Sequence, residues 1–252
     1  MKLPTGAEKV AAVDAMFDAI APGYDRTNRV ISLGLDVGWR RRTVRSLGLA
    51  PGSLVLDLAC GTGDLCRELG SQGLTPVGAD RSAGMLAAAR TSLGGSRRGC
   101  RGDTPRPPWA PLIRGDALAL PFRTGGLDGV VCGFALRNFA ALPPVLSECA
   151  RVLRPGGRLA LLEVDVPSQP LLRLGHRVWF GRAVPFVGGL VAARSGAPRA
   201  RAAAAYRYLP ASVAYLPPAP ELLALISSAG FMSVARRPLS GGIAQLLTGT
   251  RS

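Results

Sequence analysis

Apolar and polar positions along the chain follow two rhythms. Residues 8–20, EKVAAVDAMFDAI, set Val10, Val13, Met16, Phe17 and Ile20 at helical spacing, which predicts an amphipathic helix ended by the Pro22–Gly23 break. A second helix is predicted over about 36–47, carrying Trp39 among Arg40, Arg41 and Arg42. After Pro51–Gly52 the run SLVLDL is too apolar for a half-solvated strand and reads as a central parallel one. Strand and helix patterns then alternate: strand over 75–79, helix over 82–92, short strand over 112–114, strand over 127–134, helix over 143–153. The turn Pro155–Gly156–Gly157 leads into a strand over 158–164. The chain closes with a helix over 221–229, stopped by Gly230, and strands over 231–236 and 243–249. Such alternation predicts βαβ units in a doubly wound, mostly parallel seven-stranded α/β sheet.

Two stretches break the rhythm. Residues 94–108, GGSRRGCRGDTPRPP, read as an exposed, mobile loop rich in Gly, Arg and Pro. Residues 165–218 hold apolar, Arg-rich segments broken by proline and read as a helical cover over the ligand edge of the sheet. The expected organisation is one domain over 1–252: a helical cap (1–50), a ligand-binding core (51–164), the cover, and a closing helix with two strands (219–252).

Composition narrows the class. In 252 residues, 48% hydrophobic and 19% charged, neither a disordered polyelectrolyte nor a fibrous repeat fits. The formal charge is +15, and since lysine occurs only at Lys2 and Lys9, the other 29 of the 31 cations are arginine. This balance favours anionic partners such as phosphate, nucleic acid or acidic lipid. Five cysteines without a CxxC pair and a single histidine, His176, give no metal-ligand spacing, so no metal is expected. The thiols suit a reduced, cytoplasmic protein. The N-terminus lacks an apolar secretion core, and no stretch has the 18 apolar residues of a spanning helix.

The chemistry concentrates in VLDLACGTGDL, residues 55–65. A strand ending at Asp57 passes into a glycine loop that opens a helix, so backbone at Gly61 and Gly63 can approach a ligand where a Cβ would collide. A nicotinamide fingerprint also uses such a loop but wants Gly or Ala where this chain has Cys66. Asp80, 19 residues after Gly61, stands where such folds place a carboxylate on ribose hydroxyls, and Asp116 follows the third strand. Three carboxylates at consecutive strand ends suit a ligand with a cationic amine, a ribose and an adenine: S-adenosylmethionine.

At these residues the chain resembles class I S-adenosylmethionine-dependent methyltransferases with a Rossmann-like sheet, and more narrowly the ubiquinone/menaquinone C-methyltransferases of the UbiE type. The matching pieces are MFDAIAPGYDRTN (16–28), VLDLACGTGDL, GADRSAGML (78–86), GDALALPF (115–122), GFALRN (133–138), RVLRPGGRLALLE (151–163), AYRYLPASV (205–213) and LSGGIA (239–244). They run in family order over nearly the whole chain. The resemblance implies cofactor contacts at Thr62, Asp80, Asp116, Ala117 and Gly133, with Asp57, Gly61 and Gly63 completing the loop. It implies C-methylation of a lipid-tailed quinol, demethylmenaquinol before a benzoquinol, with another phenolic or polyketide ring as the rival acceptor.

Such a reaction needs a ring carbon made nucleophilic by ionisation of the adjacent hydroxyl. Arg137 and Asn138 are candidates to stabilise that oxyanion, or else they cap the fourth strand. Arg137 is not a free base, because guanidinium stays protonated. Proton removal is expected through water, with Asp25, Tyr24, Tyr206 or Tyr208 nearby; Tyr24 and Asp25 alternatively close the N-terminal helix over the cofactor. Glu163 is read as either a pocket residue or a solvated strand end, His176 as a surface residue, and Cys60 as packing. The chain departs from the family pattern at Gly133, Ala135 and the last strand. The element after strand four reads GFALRN, not the N/D-P-P-Y/F of base-nitrogen methylation, so no nucleic-acid partner is expected; a nucleic-acid methyltransferase and a non-catalytic S-adenosylmethionine-binding protein stay as remote rivals. The positive charge then points to the Arg-studded segment 171–194 resting on an anionic bilayer at the inner face of the membrane, or packing on the sheet. A homo-oligomer is compatible with this reading.

Overall fold

The computed structural model describes residues 6–21, 24–94, 110–179, 181 and 212–252. The loop read over 94–108 lies outside the described residues from 95 on, as do Tyr206, Tyr208 and most of the expected cover, residues 182–211.

Seven strands form one sheet: β1 (Leu54–Leu58), β2 (Thr75–Asp80), β3 (Leu112–Arg114), β4 (Leu127–Gly133), β5 (Leu153–Val164), β6 (Phe231–Leu239) and β7 (Ala244–Arg251). Their order is β3-β2-β1-β4-β5-β7-β6. β1 pairs in parallel with both β2 and β4, so the chain reverses its direction of travel across the sheet beside β1. That switch opens a crevice at the carboxyl ends of the strands, the ligand edge of such folds.

β1, β4 and β5 read as unbroken apolar runs because both faces of the sheet are covered. Leu56, Val130, Leu159 and Leu161 face one core with α6 (Leu142–Val152) and the closing helix α8 (Ala219–Ser228). Val55, Val131, Ala160 and Leu162 face the other, shared with α3 (Leu35–Ser46) and α4 (Asp64–Ser71). β7 runs antiparallel between β5 and β6. The physical reason is chain length: β6 and β7 are joined by residues 240–243 alone, whereas a parallel partner needs a crossover of about a dozen residues. β6 extends past the expected end at Arg236 to Leu239, and Pro238 is tolerated there because β6 is an edge strand.

Among its described residues the N-terminal region holds three helices, α1 (Gly6–Ile20), α2 (Tyr24–Ile31) and α3, where two were expected. α2, YDRTNRVI, is eight residues long and largely polar, too short for apolar periodicity to reveal it. α1 packs on α5 (Ala83–Gly94) through Ile20 and Met85. After β5, α7 (Pro170–Val178) is amphipathic yet buries none of its residues. No helix among the described residues is long and apolar enough to cross a membrane.

Candidate active site

β1 delivers Asp57 to the ligand edge, and the loop that follows is built from left-handed backbone at Ala59, Gly61 and Gly63. A Cβ at Gly61 would meet no atom within 4 Å, so this glycine leaves the crevice open; at Gly63 it would press on Leu93 Cδ1 at 3.1 Å. Behind the loop, a Cβ on Gly78 would stand 2.9 Å from Cys60 Sγ and 3.1 Å from Cys66 Sγ. The two thiols fill that space as packing groups, and the hydrogen bond that Cys66 donates to Cys60, with burial, pushes the Cys66 thiol well up.

Two carboxylates hold the loop. Asp80 accepts hydrogen bonds from Gly61 N (2.7 Å) and Ser82 N (2.8 Å), which ties the loop to the end of β2. Burial pushes its carboxyl up, against these backbone donors. Asp57 Oδ2 accepts from Cys66 N at 3.0 Å, while Oδ1, among the described residues, is the buried side-chain oxygen that has no donor. Burial pushes the Asp57 carboxyl up to about 7.

The first cavity, about 140 Å³, lies over these strand ends. Gly61, Asp80, Asp116, Ala117 and Gly133 line it, and Phe17 and Tyr24 roof it. Asp57, Thr62 and Gly63 stand behind, shaping the loop. Thr62 Oγ1 donates to Asp25, so Asp25 clamps α2 onto the loop; burial raises its carboxyl, against the Thr62 hydrogen bond. Asp116 accepts from Arg81 Nη1 at 3.0 Å, and Arg81 Nε reaches Asp14 of α1 at 2.9 Å. Asp18 accepts from Ser82 Oγ and from Gly84 N. Arg81 and Asp18 thus strap α1 over the cavity; an exposed arginine and a helical aspartate carry no motif, and sequence reading passed over both.

A second cavity, about 320 Å³, opens between α2, α3, α7 and the ends of β4 and β5. Its walls are apolar, chiefly Ile31, Leu35, Trp39, Leu172, Trp179 and Ile243; Asn28, Arg40, Arg137 and His176 supply polar groups. His176, expected on the surface, is half-buried here, and burial lowers its pKa. Tyr24 and Phe134 belong to both cavities and form the partition. Phe134 sits just past β4 with left-handed backbone (φ 60°), its ring tilted against Trp39 at 6.2 Å. The Tyr24 side chain is hydrogen-bonded to Asn28; burial raises its hydroxyl pKa, and Arg137 and Arg40 draw it back. Arg40 is held by Asp36 and, at 3.2 Å, by Asp64 at the head of α4.

The pair Arg137–Asn138 is split by the 3₁₀ turn Leu136–Asn138. Asn138 lines the first cavity and Arg137 the second. Arg137 is 5% exposed; Nη1 donates to Glu163 and to Phe134 O (2.8 Å), and Nε to Ser212 Oγ (3.0 Å). Glu163 is neither a solvated strand end nor a free pocket acid: it is 0% exposed and ion-paired to Arg137. Tyr206 and Tyr208 fall outside the described residues.

Against known proteins, the ubiE/COQ5 methyltransferase family matches residues 5–251. A demethylmenaquinone methyltransferase from Thermus thermophilus is 43% identical over 239 residues, covering 94% of this chain and 100% of the relative. The ubiquinone/menaquinone biosynthesis C-methyltransferase UbiE of Geobacter sulfurreducens is 37% identical over 252 residues, covering 97% and 90%. Among solved structures, magnesium protoporphyrin IX methyltransferase from Synechocystis PCC 6803 with bound S-adenosylmethionine superposes with a TM-score of 0.59 at 18% identity, covering 99% of this chain and 100% of that one. At that identity the likeness is one of fold.

Proposed function

The chain belongs to the ubiE/COQ5 methyltransferase family, and from that premise we propose that it C-methylates a polyprenyl hydroquinone, converting demethylmenaquinol to menaquinol with S-adenosylmethionine as methyl donor. The observation that carries the acceptor class is the second cavity: larger than the first, apolar, and sharing Tyr24 and Phe134 with it. Both cavities are walled chiefly by apolar groups, but the first also carries Asp14, Asp80 and Asp116, which suit a polar cofactor.

The residues of the first cavity fit the cofactor. The open Cβ position of Gly61, the orphan Asp57 Oδ1, and the acids Asp80 and Asp116 match a molecule with a cationic amine, ribose hydroxyls and an adenine amino group. Asp80 serves the ribose and Asp116 with Ala117 the adenine, while Asp57, Thr62 and Gly63 hold the loop in shape. When bound, the cofactor supplies an electrophilic methyl on sulfur. The chain's own work is to bring the ring carbon close, an effect worth about 7–11 kcal/mol in favourable cases, and to favour the phenolate. The Arg137 guanidinium faces the second cavity and stabilises that oxyanion. Tyr24 and Asn138 orient the ring at the partition. Asp25, committed to Thr62, closes the cap over the cofactor; the proton leaves through water.

The mouth of the second cavity is rimmed by exposed Leu33, between α2 and α3, by Leu35 at the start of α3, and by Leu171 on α7. Arg29, Arg173 and Arg177 stand on the same elements. This rim, in a chain of net charge +15, suits an anionic bilayer that receives the polyprenyl tail. Retention on phosphatidylglycerol vesicles but not on phosphatidylcholine vesicles is the expected outcome. For the reaction, the protein is incubated with labelled S-adenosylmethionine and reduced demethylmenaquinone, and the lipids are resolved. Labelled menaquinone is expected; bound cofactor with no lipid product, or methylation of other phenols alone, would overturn the acceptor.

A further inference from the structure

Glu163 is a buried charge that the mechanism above does not use. It stands at the end of β5, paired in register with Gln245 of β7, in the middle of the sheet and wholly out of solvent. Its Oε1 accepts from Arg137 Nη1 and from Val164 N (2.8 Å); its Oε2 accepts from Arg137 N (3.3 Å). The carboxylate therefore grips both the side chain and the backbone of Arg137. Phe134 O and Ser212 Oγ complete the grip, so the orientation of the guanidinium toward the second cavity is fixed before any substrate enters.

A buried ion pair is a poor way merely to hold two strands together, since apolar residues of the same volume do as well or better. What the pair does achieve is a cation of fixed aim and moderated strength beside an apolar cavity. We propose that Glu163 is a positioning residue that aims Arg137 at the substrate hydroxyl and, by neutralising part of its charge, sets how readily that hydroxyl ionises. The proposal rests on the reading of Arg137 as the oxyanion's partner. Other titratable or charged groups face the same space: Tyr24 from α2, Asp36 and Arg40 from α3, and His176 from α7; Cys132 of β4, buried in the apolar core, is within electrostatic reach of Glu163. All of these stay in place when Glu163 is changed.

The test is the pH dependence of kcat at saturating S-adenosylmethionine and reduced demethylmenaquinone. Glu163→Gln removes the negative charge but nearly keeps the shape, so Arg137 acts on the hydroxyl unopposed. The acid limb should move to lower pH by roughly one unit, the influence of a unit charge across several ångströms of protein. At the plateau, kcat should fall about tenfold because the amide cannot accept from every donor that the carboxylate serves. Glu163→Asp keeps the charge but draws it back; its limb should move the same way by less, with a loss of kcat. A merely structural role lowers stability and activity in both variants and leaves the limb where it was, which would overturn the proposal. Should Glu163→Gln not fold, an unmoved limb in Glu163→Asp overturns it alone. Arg137→Ala separates the two layers: kcat within twofold of the parent sinks the oxyanion reading itself, whereas a hundredfold loss with an unmoved Glu163→Gln limb sinks only the role of Glu163.

Discussion

Asp57→Asn should weaken cofactor binding and at the same time stabilise the cofactor-free protein, increasingly so as pH rises. The Asp57 carboxyl titrates near 3.8 in the unfolded chain and at about 7 when folded. A native pKa raised above the unfolded one means that the native state holds the proton longer. Burial of Asp57 is therefore harmless at low pH, and stability is lost progressively as pH climbs from about 4 to about 7. Some three pH units at 1.36 kcal/mol each set a ceiling of about 4 kcal/mol. For a chain of this size that is a ceiling of roughly 8–16 °C in Tm. The Asn amide contributes its own offset, about 1–3 kcal/mol if its NH₂ finds no acceptor, but that offset does not vary with pH. The readout is thus the slope: thermal melts of parent and variant every half unit from pH 4.5 to 8.5, without cofactor. The difference in Tm, variant minus parent, should rise by several degrees to pH 7 and then level off. Added S-adenosylmethionine should raise the parent's Tm at pH 8 by more than the variant's. A Tm difference independent of pH would refute the picture of a carboxyl that burial keeps protonated up to about pH 7.

Three further outcomes follow from the geometry. Gly63→Ala places a side chain in left-handed backbone (φ 85°) against Leu93 and should cost about 1–2 kcal/mol in urea denaturation, with weaker cofactor binding by calorimetry. Asp25→Ala cuts the tie between α2 and Thr62 and should raise the dissociation constant for S-adenosylmethionine about 5- to 10-fold, the size of one hydrogen bond, by the same method. Arg137→Ala leaves Glu163 buried without its partner and should destabilise the protein by about 3–5 kcal/mol, part of which the double variant with Glu163→Gln recovers; additive losses in that cycle would show the pair to be uncoupled.

Much of the cofactor side was legible in one dimension, because its signals are local. The loop at Gly61–Gly63 is a backbone requirement that only glycine meets easily, and Asp57, Asp80 and Asp116 each mark the end of a strand. The acceptor side was legible only as a resemblance. Its cavity is assembled from α2, α3, α7 and two strand ends, drawing on residues from Tyr24 to Ile243, and no spacing rule links such distant positions. Polar α2 was missed because it is held by tertiary contacts at Thr27 and Ile31, both buried, rather than by its own periodicity.

By itself the sequence determined the strand and helix alternation, the glycine loop, the acids beside it and the family, since each is carried by neighbours in the chain or by motifs in a set order. Only the tertiary structure decided that Arg137 and Asn138 part company across Phe134, that Arg137 is gripped by Glu163, and that a second compartment exists at all. The reason is physical. Which side of a partition a side chain faces, and whether a charge is buried, depend on what distant segments bring against it, and that information enters only when the chain has packed.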